Sequence, residues 1–433
     1  MIELEKTSFR ESIRSMNYNV KLVFLFSFFQ SFGRGIWMGN VLTAYIYFFA
    51  NKSNIVVGWT SLAMGLTMTV FVFPSGIFAD KFRRDILLKI ASIVGIAGLA
   101  VIYFGNSITY IFVALALWGL FQAITRPSLE SIFADSVESG KRTKIYSLVH
   151  LVRQFAMAAG PFANVLFFYL FGNEWTLANM RNVMLIGILI TFASIFLMWL
   201  FNDKKSLGST SESIEQVKVN HDDSKENDIA LRMTQRRATK LIPILLVCSN
   251  IIIGVGAGMT IKYFPQFFIE QYTLDPVWVQ IIMGITAIFT GLFALLAQKF
   301  SIKRGRPLII FIVQLIATLC LFGIAFYPNI WLLVPLFVAR GALMNAGQPL
   351  SRSILMDVVP KNKRGRWNSL ETFAWGFFWN FSALIGGYIV GDINPRFWLV
   401  FIVTACVYLV GIIPLLFLIP LVGKEKFSKK AES

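Results

Sequence analysis

The chain has 433 residues, of which 56 % are hydrophobic, 15 % aromatic and 15 % charged, with a formal net charge of +17. A soluble domain carries about 25 % charge, so an ordinary soluble fold is excluded. The basic excess would suggest nucleic acid in a soluble protein, but the placement of the charges gives it another cause.

Apolar runs long enough to cross roughly 30 Å of hydrocarbon predict twelve helical spans, at about 20–49, 56–79, 86–105, 109–135, 145–171, 182–201, 241–269, 276–298, 307–326, 330–357, 367–390 and 396–421. With the N-terminus on the cytoplasmic side, only Lys52, Arg181 and Arg396 fall on outer loops. Six basic residues lie deep within spans, and the rest gather at the inner face, as the positive-inside rule demands. Topology therefore explains the charge, and no nucleic-acid partner is expected. Residues 1–19 lack the apolar core of a cleavable leader, so the first span is expected to act as the uncleaved signal.

Span 1 contains GRGIWMG, with Gly33, Gly35 and Gly39 flanking Arg34 and able to admit a close helix neighbour. After span 2 comes Gly76-Ile-Phe-Ala-Asp80-Lys81-Phe-Arg83-Arg84. Gly119 to Leu148 then recurs without a gap 222 residues later, as Gly341 to Leu370, with ten of thirty positions identical. Among these are Pro127/Pro349, Ser131/Ser353, Asp135/Asp357 and Arg142/Arg364. The same offset aligns Lys81 with Lys303 and Arg84 with Arg306. This is the mark of a duplication. Span 5 holds Gly160-Pro161, and span 7 repeats the glycine pattern of span 1 in GVGAGMTIKYFP, with Lys262 in its outer half and Pro265 just beyond.

Residues 202–240 are polar, without apolar periodicity, and read as a linker. The expected organisation is a six-helix bundle over 1–201, a cytoplasmic linker over 202–240, a second bundle over 241–423 and a cytoplasmic tail over 424–433. Asn51-Lys52-Ser53 is a glycosylation sequon on a predicted outer loop. Cys248, Cys320 and Cys406 lie inside separate spans and give no disulfide or zinc spacing. With two histidines and no nucleophile motif, no catalytic residue, metal or cofactor is expected.

Twelve spans, a duplicated half and the loop after span 2 together resemble the major facilitator superfamily, whose loop reads Gly-x-x-x-Asp-(Arg/Lys)-x-Gly-(Arg/Lys)-(Arg/Lys). Gly76, Asp80, Lys81 and Arg84 match it, while Arg83 stands where the family has its second glycine. The resemblance implies an all-α membrane protein of twelve transmembrane helices in two pseudo-symmetric six-helix bundles. It implies a conformational lock in which Asp80 meets helix 11 and Arg84 meets Asp135. The second half keeps Lys303, Gly305, Arg306 and Asp357 but has Ile302 in place of the acid, implying a weaker lock. Gly160-Pro161 is a fragment of the helix 5 pattern of the family's exporters, with Ala156, Asn164 and Val165 replacing three of its glycines. A plain packing or kink site is an equal reading.

A charge at the bilayer centre costs about 2.5–3.5 kcal/mol on insertion scales, so buried charges need a partner, water or a task. The six basic ones are Arg34, Arg126, Arg153, Lys262, Arg340 and Arg352; the acids well inside spans are Glu130 and Glu371. In one reading Arg126 pairs with Glu130 one turn away, Arg153 joins helices 4 and 5, and Arg340 and Arg352 snorkel to the interfaces. In the other, Arg34, Arg126 and Lys262, with Gln348 at the position paired to Arg126 by the repeat, bind an anion in a central cavity. Glu130 and Arg352, equivalent by the offset, are expected to form an inner gate. Arg153 and Glu371 join them as gating or coupling candidates.

The expected function is a secondary transporter working by alternating access. It carries a small organic anion, carboxylate or phosphate, by antiport or proton coupling, and acts as a monomer in a lipid bilayer. The alternatives are a proton-linked exporter of drugs or metabolites and, from another class, a transporter-like receptor that does not cycle.

Overall fold

Hydrocarbon offers backbone groups no partner, so long apolar runs close their hydrogen bonds internally as helices. In the computed structural model, residues 16–137, 142–207, 229–358 and 361–422 are described. Side chains at 80, 142–144, 229–240, 356–357 and 361–375 fall outside that description, as do most of the predicted linker and the tail. Among the described residues every regular element is helical.

Span 1 is two helices, α1 (Tyr18–Trp37) and α2 (Asn40–Phe49). The break lies at Gly39, whose φ of +93° is a conformation that L side chains rarely adopt. Then follow α3 (Asn54–Lys81), α4 (Arg84–Phe104), α5 (Ile108–Ser136), α6 (Arg142–Phe171) and α7 (Leu177–Leu197). The second half begins with α8 (Ile229–Ile261) and α9 (Phe264–Tyr272), which divide span 7 at Lys262 and Tyr263. Pro265 sits in the first turn of α9, where its missing N–H costs nothing. The helix starts at Ile229, inside the stretch read as linker, because nothing from 229 to 240 is a helix breaker.

Next come α10 (Pro276–Arg304) and α11 (Arg306–Ala325). Span 10 is two helices, α12 (Ile330–Ala346) and α13 (Gln348–Val358), interrupted at Gly347. Helices α14 (Lys361–Val390) and α15 (Phe397–Val422) complete the chain. Ten described helices are long and apolar enough to cross a membrane, and Gly376–Val390 is a shorter apolar one. With α1 and α2 forming the first crossing, the twelve predicted spans are accounted for.

Contacts divide the chain into two units, one of Met1–Tyr45 with Ala63–Asn220, the other of Ile46–Leu62 with His221–Ser433. Each repeats one packing scheme. In the first, α1 packs on α6 and α7, and α4 on α5 and α7; in the second, α8 packs on α14 and α15, and α11 on α12 and α15. The core of the second unit is aromatic: the Phe267 and Phe401 rings lie 4.8 Å apart, and Phe264 and Phe337 4.7 Å. This cluster anchors α9 beyond the break.

Candidate functional site

Glycine sets how closely α1 approaches its neighbours. A Cβ on Gly160 would lie 2.3 Å from the carbonyl carbon of Gly35, and one on Gly33 2.3 Å from Thr191 Oγ1. Gly160-Pro161 is thus a contact point between α6 and α1, and α6 runs through Pro161 without interruption. The same approach brings Arg153 of α6 to α1, where its Nε donates to Ser27 Oγ at 3.1 Å. Arg153 therefore ties α6 to α1.

Arg126 and Glu130 do not pair: among the described residues no carboxylate lies within 4.0 Å of Arg126. Long side chains on a helix point toward its N-terminus, and Arg126 Nη2 accordingly reaches back to Gln122 Oε1 at 3.4 Å. Arg34 lies in the electrostatic field of Arg126. Arg126 lies in the fields of Glu130 and Arg153, and Arg153 in that of Glu130. Arg34 on α1, Arg126 and Glu130 on α5 and Arg153 on α6 thus stand on helices that pack together in the first unit. The Arg34 Nε is buried with no hydrogen-bond partner among the described residues.

Arg340 does not snorkel; it is 4 % exposed, donates from Nη2 to the Tyr408 hydroxyl at 2.9 Å, and lies 5.1 Å from the centre of the Phe264 ring. The electron-rich ring face and the phenol oxygen take the place of a carboxylate. The repeat aligns Arg340 with Trp118, whose ring packs edge-on against Trp37 at 5.2 Å. Lys262 is half-buried at the α8–α9 break, while Gln348 and Arg352 on α13 are exposed. The side chains of Asp80, Asp357 and Glu371 lie outside the described residues.

At the other end of the first unit, Arg84 forms an ion pair with Asp135, and its backbone N–H donates to Asp203 Oδ2 at 3.2 Å. Asp203 was not foreseen, since it stands in a polar stretch that offers no periodic signal. Lys81 is exposed and Gly76 has open space where a Cβ would stand. Arg83 has φ −60°, a conformation any residue adopts, whereas its repeat partner Gly305 has φ +93°. The two turns are built differently, and Arg83 needs no glycine. The hydrogen bond and charge of Asp85, 2.7 Å away, hold the Arg83 guanidinium above its ordinary pKa. In the second half Arg306 Nη1 donates to Ser353 Oγ at 2.5 Å.

Among the described residues no group of three His, Cys, Asp or Glu comes together as a metal site. The three cysteines are free.

The sequence pattern of the Major Facilitator Superfamily matches residues 23–249 and 246–433. A curated relative, the uncharacterized MFS-type transporter YdeE of Escherichia coli (strain K12), is 26 % identical over 129 residues, covering 29 % of this chain and 33 % of that protein. The chain thus spans about a third of that relative's length. Among solved structures, a bacterial homologue of the iron transporter ferroportin superposes with a TM-score of 0.68 at 12 % identity, covering 95 % of this chain and 99 % of that one. A D-xylose–proton symporter gives 0.68 at 14 %, covering 94 % and 98 %. The nucleoside transporter NupG gives 0.66 at 14 %, covering 92 % and 98 %. Identities this low speak for the fold alone.

Proposed function

Because this chain belongs to the major facilitator superfamily, matched across both halves, we propose that it is a secondary active transporter carrying a small organic anion by alternating access. The observation that carries the reading is the placement of Arg34, Arg126 and Arg153 on helices of one unit that pack together, with the Arg34 Nε buried and without a partner among the described residues and no described carboxylate within 4.0 Å of Arg126. Like charges drawn together inside a membrane protein repel unless an anion joins them. Guanidinium groups hold carboxylate or phosphate by paired, charge-assisted hydrogen bonds. Arg34 has spare donors, and Glu130 supplies a carboxylate for proton coupling. Lys262, Gln348, Arg352 and Glu371 complete the proposed pathway. The distribution of basic residues in the sequence supports cytoplasmic termini.

The proton-linked exporter is the weaker reading, since Gly160 has a packing role against Gly35. A thermal-shift screen of the purified protein with inorganic phosphate, sulfate, citrate and tetraphenylphosphonium, at several pH values, separates the two. Stabilisation by the anions that is lost in Arg34→Ala and Arg126→Ala supports anion carriage. Stabilisation by the lipophilic cation alone overturns it.

A further inference from the structure

Residues Ile46–Leu62 link the first span to the second, yet their contacts place them with the C-terminal unit. The bonds that hold them are polar and specific. Glu270 on α9 accepts from the Tyr47 hydroxyl at 2.9 Å and lies 3.2 Å from the Lys52 ammonium. Asp392, in the loop after α14, uses both oxygens: one accepts from Ser53 Oγ at 2.8 Å, the other from the Ile55 backbone N–H at 3.1 Å. Asn54, fully buried, donates to the Gly391 carbonyl at 3.0 Å. A Cβ on Gly387 would lie 2.7 Å from the Asn54 carbonyl oxygen, so the two backbones touch directly.

The first N–H groups of a helix lack intrahelical acceptors, and an anion beside them gains from the helix dipole. Ser53 caps α3 from within the chain, accepting from the Val56 N–H at 3.1 Å. Asp392 is a second cap, lent by a distant loop. Stability alone is served by a local cap; a lent cap makes the start of α3 depend on the 391–392 loop staying in place. The ion pair is also easily exchanged for water, for the Lys52 side chain is 59 % exposed and such pairs are weak.

We propose that Asp392 and Glu270 form a releasable latch, holding the strap Ile46–Leu62 in one state of the transport cycle and releasing it in the other. The inference rests on the alternating-access reading and is independent of the cargo. The test is hydrogen–deuterium exchange of the full-length protein in lipid nanodiscs. In Asp392→Ala, exchange is expected to quicken about five- to tenfold over residues 54–58 and to slow over Gln348–Val358, a full span away along α12. Quickening confined to 54–58 makes Asp392 a fixed cap and overturns the latch, as does unchanged exchange.

Should Asp392→Ala fold poorly, Glu270→Lys and its double variant with Lys52→Glu give a second reading. The single change loosens the strap and the swap restores protection; failure to restore it removes Glu270 from the latch. No ligand enters these measurements, so their outcome stands apart from that of the anion screen.

Discussion

Arg84, the first residue of α4, meets the carboxylate of Asp135 near the last turn of α5, and Asp203 stands 3.8 Å from the same Nη1 atom. Two acids share one guanidinium, so losing either leaves the other. Asp135→Asn is expected to cost less than Arg84→Ala. A double-mutant cycle on thermal unfolding should give an Arg84–Asp135 coupling of about 0.2–1 kcal/mol, the range for exposed pairs. A coupling of zero removes the pair from the proposed lock.

Gly35 and Gly160 set the distance between α1 and α6. Gly160→Val has no space, since even a Cβ there would lie 2.3 Å from backbone, and overpacking typically costs about 1–3 kcal/mol. Gly76→Ala meets open space and should leave the melting temperature within a degree or two. Any transport defect in Gly76→Ala then reports on the cycle and not on folding.

Tyr408→Phe strips Arg340 of its hydrogen-bond acceptor in a buried setting, at an expected cost of about 1–3 kcal/mol. Arg340→Met removes charge and unmet donors together while keeping bulk, and a buried charge replaced by a fitting apolar group is often neutral or stabilising. The melting temperatures should therefore rank Arg340→Met above Arg340→Ala. The reverse order means that Arg340 has a charged partner that its observed contacts do not include.

Gly39→Ala adds no clash, since nothing lies within 4 Å of its Cβ position. It does force a side chain to φ +93°, with strain of about 1–3 kcal/mol. The break between α1 and α2 should straighten or the protein should melt earlier, as circular dichroism melts in detergent will show.

The twelve crossings were legible because a lipid-spanning backbone must satisfy itself over a fixed length, which leaves long apolar runs in the sequence. The duplication was legible in Pro127/Pro349 and Asp135/Asp357, and the repeated pairing of α1 with α6 and α7, and of α8 with α14 and α15, follows it. The breaks at Gly39, at Lys262 and Tyr263, and at Gly347 were missed, because span length was read from hydropathy over about twenty residues, which does not register a turn of one or two residues.

Amino-acid order alone determined the class, the number of crossings and which charges stand inside the apolar runs, since each follows from hydropathy over a few tens of residues, and the two related halves, since their identities recur at one offset. Only tertiary structure decided what those charges meet: Arg126 turns to Gln122 and not Glu130, Arg153 crosses to Ser27, and Arg340 sits among rings. Partner choice depends on rotamer direction and on helices brought together from distant parts of the chain, and no local pattern encodes either.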